Sequence, residues 1–469
     1  MINPGHSPTA EALVHLSPVH FFQITALSFG LAIIFLIPPF QVPDEADHFE
    51  RAFHLAEGHF WGEQQDHRLG GVIPESIGQL EAIYLPMKFD YSAKQSRWKY
   101  AQAKSIELNS RVKTFADFPN TGLYPFTVYL PQIVAAKISL LLEIKPLYAL
   151  YLIRCFALLF WVVLISKAIE IMPRHQWAFA FLALLPGSMF VNASASGDVV
   201  TNGVAFLAIA FFYRKIIEKE DKLTPKQLLW LALGIAILAW NKFVYAPVAL
   251  LALLLPKKLF EKPAHRNRYA LGLLLLALGI VAAWNSQTSH LFLPKDQYNP
   301  LFAGQVTLNE GVDPGAQFLF ILENPGQFAK TLNLSFAENA QAISAHYFGK
   351  FGWEKNYLPG WTIGLLILAT LFLFAQKQPA GLPNKARIVF VSIAALMAIG
   401  LATTLYLMWA PVGHPRILSM SGRYFIPVLP LIWLAMPGLF RPAYTRHVVM
   451  AVSTLALVIG LFAAFARYY

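Results

Sequence analysis

Apolar runs recur from one end of the chain to the other, each bounded by a short polar or proline-marked stretch. About 20 mostly apolar residues are enough to cross a bilayer as a helix. Runs of this kind fall near 20–39, 148–172, 176–191, 199–213, 227–241, 243–256, 269–289, 359–376, 387–409, 422–439 and 447–466. The pattern predicts an all-α polytopic membrane protein, with about eleven transmembrane helices forming one transmembrane domain over 1–469. The stretch 123–142 is ambiguous: it is long enough to span, but Pro125, Pro131 and Lys137 interrupt it.

Charge resolves that ambiguity. If 123–142 does not cross and the N-terminus is cytoplasmic, the basic residues collect on one side. Arg174 lies there, with Arg214, Lys215, Lys219, Lys222 and Lys226, then Lys257, Lys258, Lys262, Arg266 and Arg268. Lys377, Lys385, Arg387, Arg441 and Arg446 complete the set. Short loops on the other side are nearly free of Lys and Arg, the asymmetry that orients membrane proteins. Residues 123–142 are then a juxtamembrane or half-inserted helix. Two long segments fall outside. Residues 40–147 form a first outer loop that prolines divide into short juxtamembrane helices, and residues 290–358 form a second.

Composition agrees. Hydrophobic residues make up 56% and charged residues 13% of 469, against about 25% charged in a soluble domain. The net charge of +11 reads as cytoplasmic loop charge rather than a nucleic-acid surface. The single cysteine, Cys155, rules out a disulfide framework or a cysteine metal site. The first 20 residues hold no Lys or Arg, so 20–39 reads as a retained helix and not a signal peptide. No internal repeat is visible.

Ionisable residues at a bilayer rim are costly and point to a site. The run PPFQVPDEADHFERA, residues 38–52, leaves the first helix and places Asp44, Glu45, Asp47 and His48 there. Pro43 can start a helix, with Asp44 and Glu45 in the first turn, where the dipole favours carboxylates. Asp44 and His48 share a face, and Asp47 and Arg51 could pair. The plain reading is a capped interfacial helix. A second acidic group, Asp198 in VNASASGDVVTN, reads by itself as an N-cap, but the same topology brings it to the side of Asp44.

Cations lie on that side too. Lys242 in WNKFVYAP and Arg416 and Arg423 in HPRILSMSGRYF either snorkel or hold a lipid phosphate. A cation opening a helix opposes its dipole, so Arg423 calls for a nearby anion. His346, Tyr347, Trp353 and Glu354 in AHYFGKFGWEKN suit stacking on a sugar or packing at the interface, and His414 is equally open. No P-loop, GxGxxG or HExxH motif is present, so a bound nucleotide is not expected.

Together, the first helix leading to PDE-A-x-H-F-x-R-A, the NASASGD-V-V-T-N run, K-F-V-Y-A-P and W-A-P-V-G with G-R-Y-F resemble the DUF2142 family of bacterial membrane proteins over nearly the whole chain. That family looks like a branch of the GT-C glycosyltransferases. The resemblance implies a multi-pass protein of the bacterial inner membrane that acts on its outer face. It would take a sugar from a polyprenyl-phosphate carrier to a glycan, lipid or protein acceptor. Carried over, Asp44 takes the catalytic position, Glu45 is its neighbour and Asp198 the second acidic residue. No sizeable soluble domain follows the last span, so the acceptor would be recognised by the two outer loops.

On that reading Asp44 is the general base, its pKa raised by desolvation and acidic neighbours. Glu45 or Asp198 orients the acceptor, or shares Mg²⁺ or Mn²⁺ with Asp44 through oxygen. Lys242 and Arg423, with Arg416 behind them, neutralise the phosphate; Asp47, His48, His346 and Tyr347 line the substrate site. The competing classes are a transporter or flippase of lipid-linked sugars, an O-antigen polymerase or ligase, and a non-enzymatic partner. Residues 290–358 contain no Arg, which argues against the polymerase class, and the absence of internal symmetry argues against the transporter.

Overall fold

Ser17 starts the first helix: its hydroxyl accepts the His20 N–H at 3.2 Å, and Pro18 takes a first-turn position where no N–H is needed. A computed structural model of the chain describes residues 16–88, 90–219, 222–304, 306, 308–353, 356–378, 381–441 and 443–469. In chain order the helices are α1 (Pro18–Leu36), α2 (Glu45–Ala56), α3 (Glu75–Tyr84), α4 (Arg97–Ser105), α5 (Leu130–Leu141), α6 (Pro146–Ile171), α7 (Gln176–Ala183), α8 (Pro186–Asn192) and α9 (Asp198–Glu218). There follow α10 (Pro225–Asn241), α11 (Pro263–Thr288), α12 (Pro314–Glu323), α13 (Pro325–Gly349), α14 (Gly360–Phe374), α15 (Asn384–Trp409), α16 (Leu429–Leu434) and α17 (Thr445–Tyr468).

Among the described residues, six helices are long and apolar enough to cross a membrane: α1, α6, α9, α11, α15 and α17. This is a multi-pass membrane protein. The sequence count of eleven is not reproduced by length, and proline is the main reason. The run 176–191 is split into α7 and α8 ahead of Pro186. The run 243–256 is a 3-10 helix, Phe243–Leu254, with Pro247 inside it. The run 422–439 is a 3-10 turn, Gly422–Phe425, followed by the six-residue α16. The ambiguous 123–142 contains α5, 12 residues long. At 1.5 Å per residue it reaches about 18 Å, short of the roughly 30 Å hydrocarbon core.

The centre of the bundle is α6 and α9 packed together, with α1 against α6 and α17 against α1. At one end, residues 40–145 make a layer that is not purely helical, which departs from the all-helical expectation for this loop. Strands β1 (Glu63–Gln65), β2 (Arg68–Pro74) and β3 (Lys113–Asp117) form an antiparallel sheet in that order. Asp66 and His67, both at positive φ, make the tight hairpin turn whose twist matches the strands. The second long segment docks on this sheet. Tyr298 donates its hydroxyl to Asp117 at 2.5 Å, Arg68 pairs with the same carboxylate at 2.5 Å, and Gln64 donates to the Leu291 carbonyl at 2.9 Å.

Two glycines allow close approach to α13. A Cβ on Gly187 would lie 2.3 Å from the His346 carbonyl and 2.4 Å from that of Tyr347; one on Gly422 would lie 2.2 Å from the Ile343 carbonyl. Backbone cannot rotate out of the way, so Gly187→Ala should destabilise by about 1–3 kcal/mol, the usual cost of overpacking. Thermal unfolding in detergent measures this; an unchanged midpoint would show that α8 and α13 can separate freely.

Candidate functional site

The site starts at the turn before α2. The helix begins at Glu45, two residues after the Pro43 start that the sequence implied, and Asp44 occupies the N-cap position with φ 63° and ψ 11°. A left-handed Asp is a sparsely populated state that clusters at functional sites. The Asp44 side chain makes no capping bond. It turns instead to Arg423, whose Nη2 donates to Asp44 Oδ2, while Nη1 donates to the Pro43 carbonyl at 2.7 Å.

Asp198 arrives from the core of the bundle. Gly197 is the N-cap, and Asp198 stands in the first turn of α9, its own N–H given to Ser196 Oγ at 3.1 Å. It is therefore not the cap that the sequence allowed. Its Oδ1 is 2.5 Å from Lys242 Nζ, and its Oδ2 is 3.8 Å from Arg423 Nε. Lys242 terminates α10 and lies 4.9 Å above the Tyr424 ring and 5.8 Å from that of Tyr124. The anion that Arg423 called for is supplied twice, by Asp44 and Asp198. Four segments far apart in sequence thus deliver two carboxylates and two cations to one cluster. Burial is the strongest single influence and would raise the Asp44 carboxyl, but Arg423 beside it, with smaller help from His48 and Lys88, holds it below its ordinary value. This reverses the elevation expected from the sequence.

Around the cluster, His48 Nδ1 lies 2.7 Å from Tyr129 Oη, and its ring stacks on Tyr124 at 6.3 Å. Burial pushes His48 down to about 4, so it is neutral at pH 7. Asp47 points a different way: it accepts from Asn120 Nδ2 at 3.0 Å and does not pair with Arg51. Burial, followed by the Asp44 charge, lifts it to about 7. Arg51 is turned inward onto His54 Nδ1 and the carbonyls of Phe60 and Tyr124.

Glu45 is corrected more sharply. It is fully buried and accepts four hydrogen bonds: Arg154 Nε at 2.8 Å, Arg154 Nη2 at 2.6 Å, Phe40 N at 3.1 Å and Ala195 N at 3.0 Å. It bolts α2 to α6 and to the Asp198 loop and is not free to orient a substrate. The sequence signal for this pair is Arg154 itself, a cation in the middle of an apolar helix. Arg416 also leaves the site, pairing with Glu338 at the surface. His346 serves the site indirectly: its Nδ1 accepts the Gly422 N–H at 3.2 Å and so anchors the turn that carries Arg423. Burial, then Lys350 and Arg423, press it to about 3, so it is neutral. Tyr347 is buried in the core and makes no hydrogen bond through its hydroxyl. Trp353 donates to the Phe40 carbonyl at 3.1 Å; Glu354 lies outside the described residues. Tyr124, Tyr129 and Tyr424, which the sequence did not single out, supply the aromatic walls.

A divalent ion shared by Asp44, Glu45 and Asp198 does not fit this arrangement. Glu45 has no remaining acceptor direction, and the other two carboxylates each face a side-chain cation. Among the described residues, His54, His59 and Glu63 do converge within ligand distance. Arg51 Nη1, a group that can only donate, sits 2.7 Å from His54 Nδ1. The imidazole must then carry its proton on Nε2, facing Glu63 at 3.1 Å, and that nitrogen has no lone pair for a metal.

Beside the charged cluster, a cavity of about 400 Å³ is walled by Phe60, Trp61, Phe126, Trp240, Trp284 and Ile280. Phe126 and Trp240 are each two residues from a member of the cluster, Tyr124 and Lys242. No curated protein and no solved structure matches the chain. The family model that describes predicted membrane proteins, DUF2142, matches residues 27–432. The chain therefore belongs to the DUF2142 family of membrane proteins.

Proposed function

We propose that this protein transfers a sugar from a polyprenyl-phosphate carrier to an acceptor hydroxyl on a cell-envelope glycan, lipid or protein. The observation that carries the proposal is the convergence of Asp44 and Asp198 with Lys242 and Arg423 at one end of the bundle. The asymmetry of loop charge supports a reading in which that end faces outward from the cytoplasmic membrane.

In the reaction, a carboxylate takes the proton of the acceptor hydroxyl as its oxygen bonds to the anomeric carbon. The bond from that carbon to the phosphate oxygen breaks, and its electron pair leaves with the phosphate. A single displacement inverts the anomeric centre. Asp44 is the base because it is the more accessible carboxylate, 24% exposed against 8% for Asp198. Positioned proton transfer contributes about 10²–10⁴-fold. Lys242 and Arg423 meet the charge developing on the phosphate, and the aromatic cavity offers the carrier's hydrocarbon a place next to them.

The experiment is donor turnover by purified protein in liposomes loaded with polyprenyl-phosphate-linked sugars. Release of polyprenyl phosphate together with a new glycosidic bond supports transfer; lipid crossing the bilayer without bond formation makes the protein a flippase instead. Arg423→Ala should raise the donor KM roughly tenfold to a hundredfold, since charged hydrogen bonds are worth about 1.5–3 kcal/mol. An unchanged donor KM would remove Arg423 from the phosphate site.

A further inference from the structure

Arg423 has five N–H donors in one rigid plane. Both Nη2 hydrogens are engaged, one by the Asp44 carboxylate and one by Tyr424 Oη at 3.0 Å, and Nη1 donates to the Pro43 carbonyl at 2.7 Å. Nε makes no hydrogen bond: Asp198 Oδ2, at 3.8 Å, is too far. Yet the side chain is only 9% exposed. A buried N–H without a partner calls for an acceptor, and a phosphate oxygen is one.

Guanidinium binds oxyanions best through two parallel N–H bonds. Both paired edges, Nε with Nη2 and Nη1 with Nη2, use Nη2. A phosphate seated on either edge must displace Asp44 or Tyr424. If Tyr424 leaves, the Asp44 carboxylate stays on the same guanidinium beside the anion, and like charges in contact repel. If Asp44 leaves, the repulsion is relieved. The turn also reflects this contest. Arg423 grips both the Pro43 carbonyl and the Asp44 side chain, and Asp44 is held in a left-handed conformation. Withdrawing Arg423 frees both ends of that strained turn at once.

We propose that Arg423 is contested between Asp44 and the phosphate of the donor, so that Asp44 becomes available as a base only when a phosphate has drawn Arg423 away. This rests on the phosphate reading above and adds an order to it: donor first, acceptor second. A protein with an empty donor site would hold no active base and would not waste protons or water on an incomplete complex. The release also removes the guanidinium that keeps Asp44 acidic, raising its proton affinity when the acceptor hydroxyl arrives.

The test is a binding cycle that needs no acceptor. Farnesyl phosphate is titrated into the full-length protein in nanodiscs, for wild type, Asp44→Asn, Arg423→Gln and the double variant, with thermal unfolding as the check on folding. Asp44→Asn removes the competing charge, leaving only a neutral acceptor, and should tighten Kd by roughly fivefold or more, the scale of coupling between contacting residues. In the Arg423→Gln background the same change should alter Kd by less than about twofold. Arg423→Lys, which lacks the paired N–H edge, replaces Arg423→Gln in the cycle if the latter does not fold. Unchanged or weaker binding by Asp44→Asn overturns the competition while leaving the phosphate site intact. Tightening that persists without Arg423 is general charge repulsion and overturns it equally. If neither wild type nor Asp44→Asn binds farnesyl phosphate above empty nanodiscs, the phosphate reading falls and the competition falls with it.

Discussion

Substituting Glu45 by Met is expected to cost about 3–5 kcal/mol, the range for breaking a buried ion pair by removing one partner. The pair is exposed by no more than 1% on either side. All five Arg154 donors are placed: two on Glu45, two from Nη1 on the Ile34 and Ile37 carbonyls, and the remaining Nη2 hydrogen on Pro38. Losing the carboxylate leaves that cation uncompensated and orphans the N–H groups of Phe40 and Ala195. Glu45→Gln should be milder, because its oxygen still accepts. Arg154→Met should fall between, since the stranded carboxylate keeps two backbone donors. The double change to Met should recover only part of the loss, because the two N–H groups stay unsatisfied. Thermal unfolding of the detergent-purified variants gives the order. A Glu45→Met protein as stable as wild type would return Glu45 to the list of residues free to act on a substrate.

That pair marks where sequence reasoning reached its limit. Loop charge and helix ends are enough to expect Asp44, Asp198, Lys242 and Arg423 on one side, and the structure brings them into contact. Nothing local told Glu45 from Asp44. They are adjacent acidic residues in one motif, and they diverge because the left-handed turn at Asp44 throws its side chain outward while the helix carries Glu45 into the bundle. Choosing between them required the partner, Arg154, more than 100 residues away. The small sheet was hidden for a related reason. Its strands are 3, 7 and 5 residues long, and β2 contains Gly70 and Gly71, so neither alternation nor β-propensity rose above the loop background. Three of the eleven apolar runs are shortened where proline breaks them without changing their hydropathy.

The second large effect is on the chemistry. Asp44→Asn should lower the transfer rate by about 10²–10⁴-fold, the contribution of a positioned base. The change keeps the shape of the side chain and an oxygen that Arg423 can still bond, so the protein should fold and the donor should bind. Asp198→Asn should behave differently. Its carboxylate is engaged by Lys242 at 2.5 Å, so its loss should unsettle the phosphate-binding cation and show chiefly in donor KM. The two signatures separate the roles, because a group that acts only in the transition state moves kcat, and one that binds the ground state moves KM. Competition for Arg423 sharpens the distinction. Removing the Asp44 charge should reduce donor KM while kcat collapses, so the variant binds its donor better and uses it worse. Wild-type turnover in a folded Asp44→Asn protein would remove Asp44 as the base. A collapse of kcat with donor KM unchanged would keep the base and discard the competition.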